Sequence, residues 1–239
     1  KKLSELDLST IDRLLIELPC QGEAGIIPAD EQTLKHVYQV TQNAGIFWIA
    51  DCIQCGIGRV GTLFGCDLYP WLKPDILTLA KALGGGLPIG ATIFHSCLDW
   101  QKDEHSNTFG GNPVISSLAL TVITCIQELL ESGAIKAIEN ILHKRLHILR
   151  RHPMIQDTRG VGAMWAAELP DAKLRDRLID IGEEMAMTDG CGIKLLGAGK
   201  KSVRLMPPLT ISPKDLRIAL DIFLIALNKL ADEQQNTSI

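Results

Sequence analysis

The chain has 239 residues, 46% of them hydrophobic, enough to bury a core in one large domain or two small ones. Its 24 basic and 28 acidic residues are dispersed, with a formal net charge of −4 and no long basic block. Nothing in that balance points to nucleic acid or to an anionic membrane surface. Seven cysteines at irregular spacing read as reduced thiols of a cytoplasmic protein. The opening KKLSELDLST lacks the apolar run of a signal peptide, and unbroken apolar runs such as Ile46–Ala50 are too short to span a bilayer.

In chain order, a charged segment leads directly into DRLLIELP, which predicts a strand. Short apolar runs at Leu14–Ile16, Phe47–Ala50, Ile76–Leu79 and Ala91–Phe94 predict strands of a mainly parallel sheet, buried on both faces. Between the first two, Glu31–Asn43 carries Leu34, Val37, Tyr38 and Val40 at helical spacing. Strand, helix, strand predicts an α/β fold. Longer helical patterns follow at Pro113–Glu131 and Ala134–Arg150. Gly160–Leu169 and Gly192–Met206 then predict strands flanking a helix at Lys173–Ala186. Pro213–Leu230 predicts a closing amphipathic helix, with Ser212 as N-cap and Pro213 in the first turn. A boundary near Arg151–Pro153 is expected between a large α/β domain, 1–151, and a small α+β domain, 152–239.

In open parallel sheets, ligands gather beyond the carboxyl ends of the strands. Asp51 follows FWIA at such an end. A carboxylate there is costly unless neutralised; a protonated pyridine nitrogen, an arginine or a capped loop would each serve. Lys81 ends DILTLAK and precedes Ala82-Leu83-Gly84-Gly85-Gly86. Its amine is either solvated or a Schiff-base nucleophile, which burial and nearby positive charge would help to deprotonate. The glycines let the backbone pass close to a ligand. HSNTFGGNP at His105–Pro113 offers the Thr108 hydroxyl and glycine N–H groups, as a phosphate-binding turn or a plain Asn/Gly turn.

Two other patterns carry less. Cys52-x-x-Cys55 invites a redox or zinc reading, but it lacks a second pair at zinc spacing and follows a strand instead of opening a helix. His143 and His147 share a predicted helix with Lys144, Arg145, Arg150 and Arg151 and read as a solvated basic face. No metal site is expected.

Taken in order, the motifs resemble those of class III aminotransferases of fold type I. Pro19-Cys20-Gln21-Gly22-Glu23-Ala24-Gly25 is similar to the family's P-x-Q-G-E-x-G. Asp51 through Arg59 is similar to D-E-V-Q-x-G-x-G-R, and Pro74 through Gly86 to the lysine motif. Thr108-Phe109-Gly110-Gly111-Asn112-Pro113 resembles T-[YF]-G-G-N-P, while Arg159–Gly162 and Val203–Leu209 resemble motifs of the small domain. KPDILTLAKALGGGLPIGA most resembles the acetylornithine and succinylornithine group, with LysW-aminoadipate and ornithine aminotransferases close behind.

The resemblance implies a pyridoxal 5′-phosphate enzyme that transfers an amino group between an ω-amino donor, acetylornithine- or ornithine-like, and the 2-oxo acid 2-oxoglutarate. It implies that Lys81 forms the internal aldimine and shuttles a proton, that Asp51 pairs with the pyridinium, that Ile53 packs on the ring and that Gln54 reaches its phenolic oxygen. Thr108 would hold the phosphate of the neighbouring subunit's cofactor in a homodimer. Arg204 would grip a substrate carboxylate, and Glu23 would mask Arg204 when no dicarboxylate is bound. The sequence departs from the family at Leu18, where Glu17 stands one place early, and at Cys52, where an acid is usual. The family's early phosphate turn and aromatic-His-Gly segment have no counterpart here, so the isolated chain is expected to leave a sheet edge open and not to complete transamination. A non-catalytic remnant or fragment keeping the dimer fold, and a pyridoxal-phosphate-dependent racemase, are the alternatives.

Overall fold

A computed structural model describes residues 5–188 and 190–237. The chain forms two compact units: Lys1–Cys20 with Ala29–Glu128, and Gln21–Pro28 with Leu129–Ile239. They part at Glu128–Leu129, one helix before the change in composition at Arg151–Pro153.

The first unit is built on β1 (Arg13–Glu17). The short strands β2 (Cys20–Gln21) and β3 (Ile27–Pro28) bracket a turn whose residues from Gln21 to Pro28 belong to the second unit, and helix α1 (Glu31–Asn43) follows in the first. Asp30 caps α1 by accepting the Thr33 N–H at 2.8 Å. Next come β4 (Phe47–Asp51), β5 (Ile76–Leu79), β6 (Ala91–Phe94) and helix α2 (Pro113–Glu131). The sheet order is β1-β4-β5-β6. β1, β4 and β5 run parallel, so their carboxyl ends share one edge, whereas β6 is antiparallel to β5.

Burial on both faces was expected of all four strands and is seen in none. The inner strands alternate, burying Trp48, Ala50, Leu77 and Leu79 on one face and leaving Phe47, Ile49, Ile76 and Thr78 exposed or half-buried on the other. β1 and β6 are the outer strands, leaving Leu15 59% and Ile93 51% exposed. α2 is another departure. By length and composition alone it is apolar enough to cross a membrane. Counting unbroken apolar runs missed it because Ser116, Ser117, Thr121 and Thr124 are threaded through the helix.

Packing behind the sheet rests on an aromatic cluster. Trp48 is fully buried, its ring meets Tyr38 edge-on at 5.0 Å, and its Nε1–H donates to Thr41 Oγ1 at 2.6 Å. Tyr38 in turn contacts Trp71, which lies beside Tyr69. Trp48 therefore ties β4 to α1 through one polar bond inside an apolar core, where a lost partner costs full desolvation.

In the second unit, α3 (Ala134–Leu149) precedes the hairpin β7 (Asp157–Val161) and β8 (Met164–Glu168). Then follow α4 (Ala172–Thr188), β9 (Leu196–Ala198), β10 (Ser202–Leu205) and α5 (Pro213–Thr237). The strands pair antiparallel in the order β7-β8-β10-β9. Each expected strand region is thus two strands with a reversal between them. Leu142, Leu146, Met164, Leu178, Phe223 and Leu227 have no exposed surface and form the core. Ser212 caps α5, accepting the Asp215 N–H at 3.0 Å as its position predicts. Trp165 donates Nε1–H to the Gly162 carbonyl and sets its ring against the edge of His143.

Thr41→Val, which removes the hydroxyl but keeps the volume, is expected to lower stability by about 1–3 kcal/mol. Urea unfolding followed by tryptophan fluorescence checks it; an unchanged midpoint would show that Trp48 finds another acceptor.

Candidate active site

At the carboxyl edge of the first sheet, Asp51 closes β4 with Glu17 beside it on β1 and Thr78 on β5. Asp51 Oδ1 accepts the Ile53 N–H at 2.9 Å and the Thr78 hydroxyl at 3.4 Å. Both bonds fall on one oxygen, so the other remains for a cation. The chain then coils through Ile53 and Gln54, both half-buried. Gly56 donates to the Cys52 carbonyl at 2.9 Å. A Cβ on Gly56 would sit 2.6 Å from that same carbonyl oxygen, so only glycine fits. At the end of this coil, burial pushes the Arg59 guanidinium down to about 10. Leu18, the first departure from the family pattern, is fully buried and donates its N–H to the Asp51 carbonyl at 3.2 Å.

Lys81 opens a 3₁₀ turn just beyond β5 with φ +47°, a conformation that L-residues other than Asn and Asp seldom adopt. The turn holds it there through N–H bonds from Leu83 to Ala80 and from Gly85 to Ala82, each 3.1 Å. Gly85 is left-handed and lies against Val122 of α2. Lys81 itself is exposed, so the burial expected to favour its neutral amine is not supplied by this chain alone.

Thr108 lies in an exposed turn. Asn107 Oδ1 accepts the N–H groups of Phe109 and Gly110, at 3.1 and 3.0 Å. The Gly110 N–H that sequence offered to a phosphate is therefore committed within the turn. Asn112 Oδ1 accepts from Val114 and Ile115 and caps α2. A cavity of about 700 Å³ is lined by Ala80, next to Lys81, and by Asn107 and Phe109–Asn112, around Thr108. Lys81 and Thr108 themselves are not among its lining residues.

Arg204 and Glu23 meet in the second unit. Arg204, on β10, sends Nη1–H to Glu23 Oε1 at 2.8 Å and Nη2–H to Oε2 at 3.4 Å, while its Nε–H donates to the Gly197 carbonyl at 3.0 Å. The arginine side chain is 21% exposed and the glutamate 65%. The turn carrying Glu23 is fixed by a residue that sequence reasoning placed only in a motif. Arg159, on β7, donates Nε–H and Nη2–H to the Gly25 carbonyl at 3.1 and 2.9 Å, and bonds Asp157, Glu168 and Ser202 as well. Gly199 adds an N–H to the Glu23 carbonyl at 2.9 Å, and a Cβ there would strike the Ala24 carbonyl oxygen at 2.5 Å. Burial opposes ionisation of Glu168, but bonds from Lys201 and Arg159 outweigh it and hold the carboxyl below its usual range.

The structure therefore collects Asp51, Ile53, Gln54, Lys81 and the Thr108 turn in one unit, and Glu23 with Arg204 in the other. Thr78, Asn107, Asn112 and Arg159 were not singled out as site residues. The Asn-x-Phe-Gly and Asn-Pro spacings were legible cap signals, but nothing in the sequence tied Arg159 to Gly25.

The sequence matches the aminotransferase class-III family over residues 2–227, and the chain belongs to that family. It is 32% identical over 234 residues to an acetylornithine aminotransferase of Clostridium acetobutylicum, covering 93% of this chain and 57% of that protein. It is 33% identical to the acetylornithine aminotransferase of Oceanobacillus iheyensis, covering 92% and 53%. Among solved structures, ornithine aminotransferase from Toxoplasma gondii superposes with a TM-score of 0.83 at 26% identity, covering 94% of this chain and 53% of that one. Ornithine aminotransferase from Plasmodium yoelii gives 0.79 at 29% identity, covering 90% and 57%. The chain spans about half the length of the relatives it matches.

Two outcomes follow for the second unit. Glu23→Gln is expected to change unfolding free energy by less than about 1 kcal/mol, because an exposed ion pair contributes little. Chemical denaturation reads this, and a larger loss would make the pair structural. The depressed Glu168 carboxyl stabilises above its unfolded pKa, and that contribution is lost as pH falls through the lower folded value. Acid titration of circular dichroism should therefore show the second unit failing below about pH 4, and at higher pH in Arg159→Met.

Proposed function

We propose that the protein is a pyridoxal 5′-phosphate-dependent aminotransferase exchanging an amino group between an ornithine- or acetylornithine-like ω-amine and 2-oxoglutarate. The observation that carries this reading is the forked contact of Glu23 on Arg204. An enzyme that takes an ω-amine in one half-reaction and a dicarboxylate in the other needs a carboxylate grip that can be covered and uncovered. A mostly exposed glutamate over a mostly covered arginine is such a device, since the acid can swing into water while the arginine stays anchored to Gly197.

The first unit suits the cofactor. Asp51 offers a carboxylate at the sheet edge, and Lys81 stands on the adjacent strand end. When bound, pyridoxal phosphate supplies an electron sink for charge at the substrate α-carbon. Asp51 holds a cationic ring nitrogen, Ile53 covers one ring face and Gln54 contacts the ring oxygen. Lys81 provides the anchoring amine and moves the proton at the α-carbon. Thr108 binds the phosphate of a neighbouring subunit's cofactor, which makes a homodimer part of the proposal. A cytoplasmic location belongs to it too, supported by seven cysteines without a disulfide among them. The exposure of Lys81 favours a second reading, in which this chain alone does not close the site.

Borohydride reduction in the presence of pyridoxal phosphate, with peptide mapping, separates the two. Selective modification of Lys81, abolished in Lys81→Ala, supports the first; label scattered over surface lysines is the signature of the second. Arg204→Ala is expected to raise KM for glutamate about tenfold or more, as loss of a charged hydrogen-bond pair implies, with cofactor affinity little changed. Equal loss of both would remove Arg204 from substrate binding.

A further inference from the structure

Four buried cysteines lie just past the ends of β1 and β4. Cys20, Cys52, Cys55 and Cys66 are exposed by 0%, 1%, 1% and 6%. Sequence couples Cys52 with Cys55, but the fold gives each another partner. Cys20 Sγ stands 3.7 Å from Cys55 Sγ, and Cys52 Sγ–H donates to the Leu18 carbonyl oxygen at 3.9 Å. Among the described residues, no group of three or more His, Cys, Asp or Glu is arranged to hold a metal ion, so a zinc site does not account for these thiols.

The Cys20–Cys55 contact has a second component. Cys55 Sγ also lies 3.4 Å from the Cys20 carbonyl oxygen. Across the sulphur–sulphur hydrogen bond either thiol can be the donor. That bond holds the Cys55 thiol below its usual range; the same bond, with burial, pushes Cys20 up. The Glu17 carboxylate, close by, opposes ionisation of either sulphur.

We propose that Cys20 and Cys55 are a dithiol that hydrogen peroxide oxidises to a disulfide, in place of the Cys52-x-x-Cys55 bond that spacing alone would pair. Cys55 loses its proton first, and its sulphur attacks one peroxide oxygen. The O–O bond breaks, a sulfenic acid forms on Cys55, and the departing hydroxide takes up the proton and leaves as water. The Cys20 sulphur then attacks the Cys55 sulphur. The S–O bond breaks, and the leaving hydroxide carries off the Cys20 proton as a second water. Two thiols give up two electrons and one peroxide becomes two waters. The sulphurs must close from 3.7 Å to about 2.05 Å. The bond ties the turn that follows Gln54 to the end of β1.

The test is peroxide treatment of the purified protein, alkylation of remaining thiols under denaturing conditions, and disulfide mapping by tandem mass spectrometry. The expected product joins Cys20 to Cys55, is reversed by dithiothreitol, persists in Cys52→Ser and is lost in Cys55→Ser. A Cys52–Cys55 or Cys52–Cys66 bond in the wild-type protein overturns the proposal. So does full alkylation of Cys20 and Cys55 while the exposed Cys97, Cys125 and Cys191 oxidise. The readout needs no cofactor, so it stands apart from the fate of the proposed transamination.

Discussion

The grip of Arg159 on the Gly25 carbonyl is the contact on which the second unit's chemistry depends. In the loop Gly22–Ile26 only Ile26 is an anchoring apolar side chain, fully buried, and Gly25 at φ +115° has no side chain to contribute. A guanidinium that is 18% exposed, already neutralised by Asp157 and Glu168, can spend two N–H groups on one backbone oxygen without leaving a charge unpaired. Gly199 closes the other side through the Glu23 carbonyl. Only with both in place does the Glu23 carboxylate stand opposite Arg204. The ion pair at the surface is weak by itself; its geometry is imposed by the less exposed network behind it.

The first unit follows a different logic. Three parallel strands deliver three polar groups, Glu17, Asp51 and Thr78, to one level of the sheet edge because register aligns them. Local chemistry does the rest. An Asx-type bond orients Asp51, a left-handed lysine begins the next turn, and two asparagines spend their side-chain oxygens on successive backbone N–H groups around Thr108. The motif reads as a ligand site because short-range bonds within each turn leave specific atoms over.

Those features separate what sequence reveals from what it hides. Helical periodicity placed α1 and α2 at the bounds the structure shows, and cap chemistry placed Ser212 at the start of α5, because both are local properties. The alternation of Asp51, Lys81 and Thr108 with glycine marked the first unit's site for the same reason. Strand burial was misjudged in all four strands, since a run of apolar residues does not say whether both faces of a sheet are covered. The hairpin turn inside Gly160–Leu169 was missed for want of a polar break. The role of Arg159 was out of reach: it joins residues 134 positions apart, and no periodicity encodes such a contact. The contact of Cys20 with Cys55 was out of reach for a related reason, as it joins residues 35 positions apart.

The placement of tryptophan has a spectroscopic consequence. Of four tryptophans, Trp48, Trp71 and Trp100 belong to the first unit and Trp165 alone to the second. Trp165 is 8% exposed and lies edge-on to the ring of His143. Replacing the other three would leave a single blue-shifted emitter reporting on the second unit by itself. Its wavelength would track the integrity of the core around it, giving each half of the chain its own optical signal.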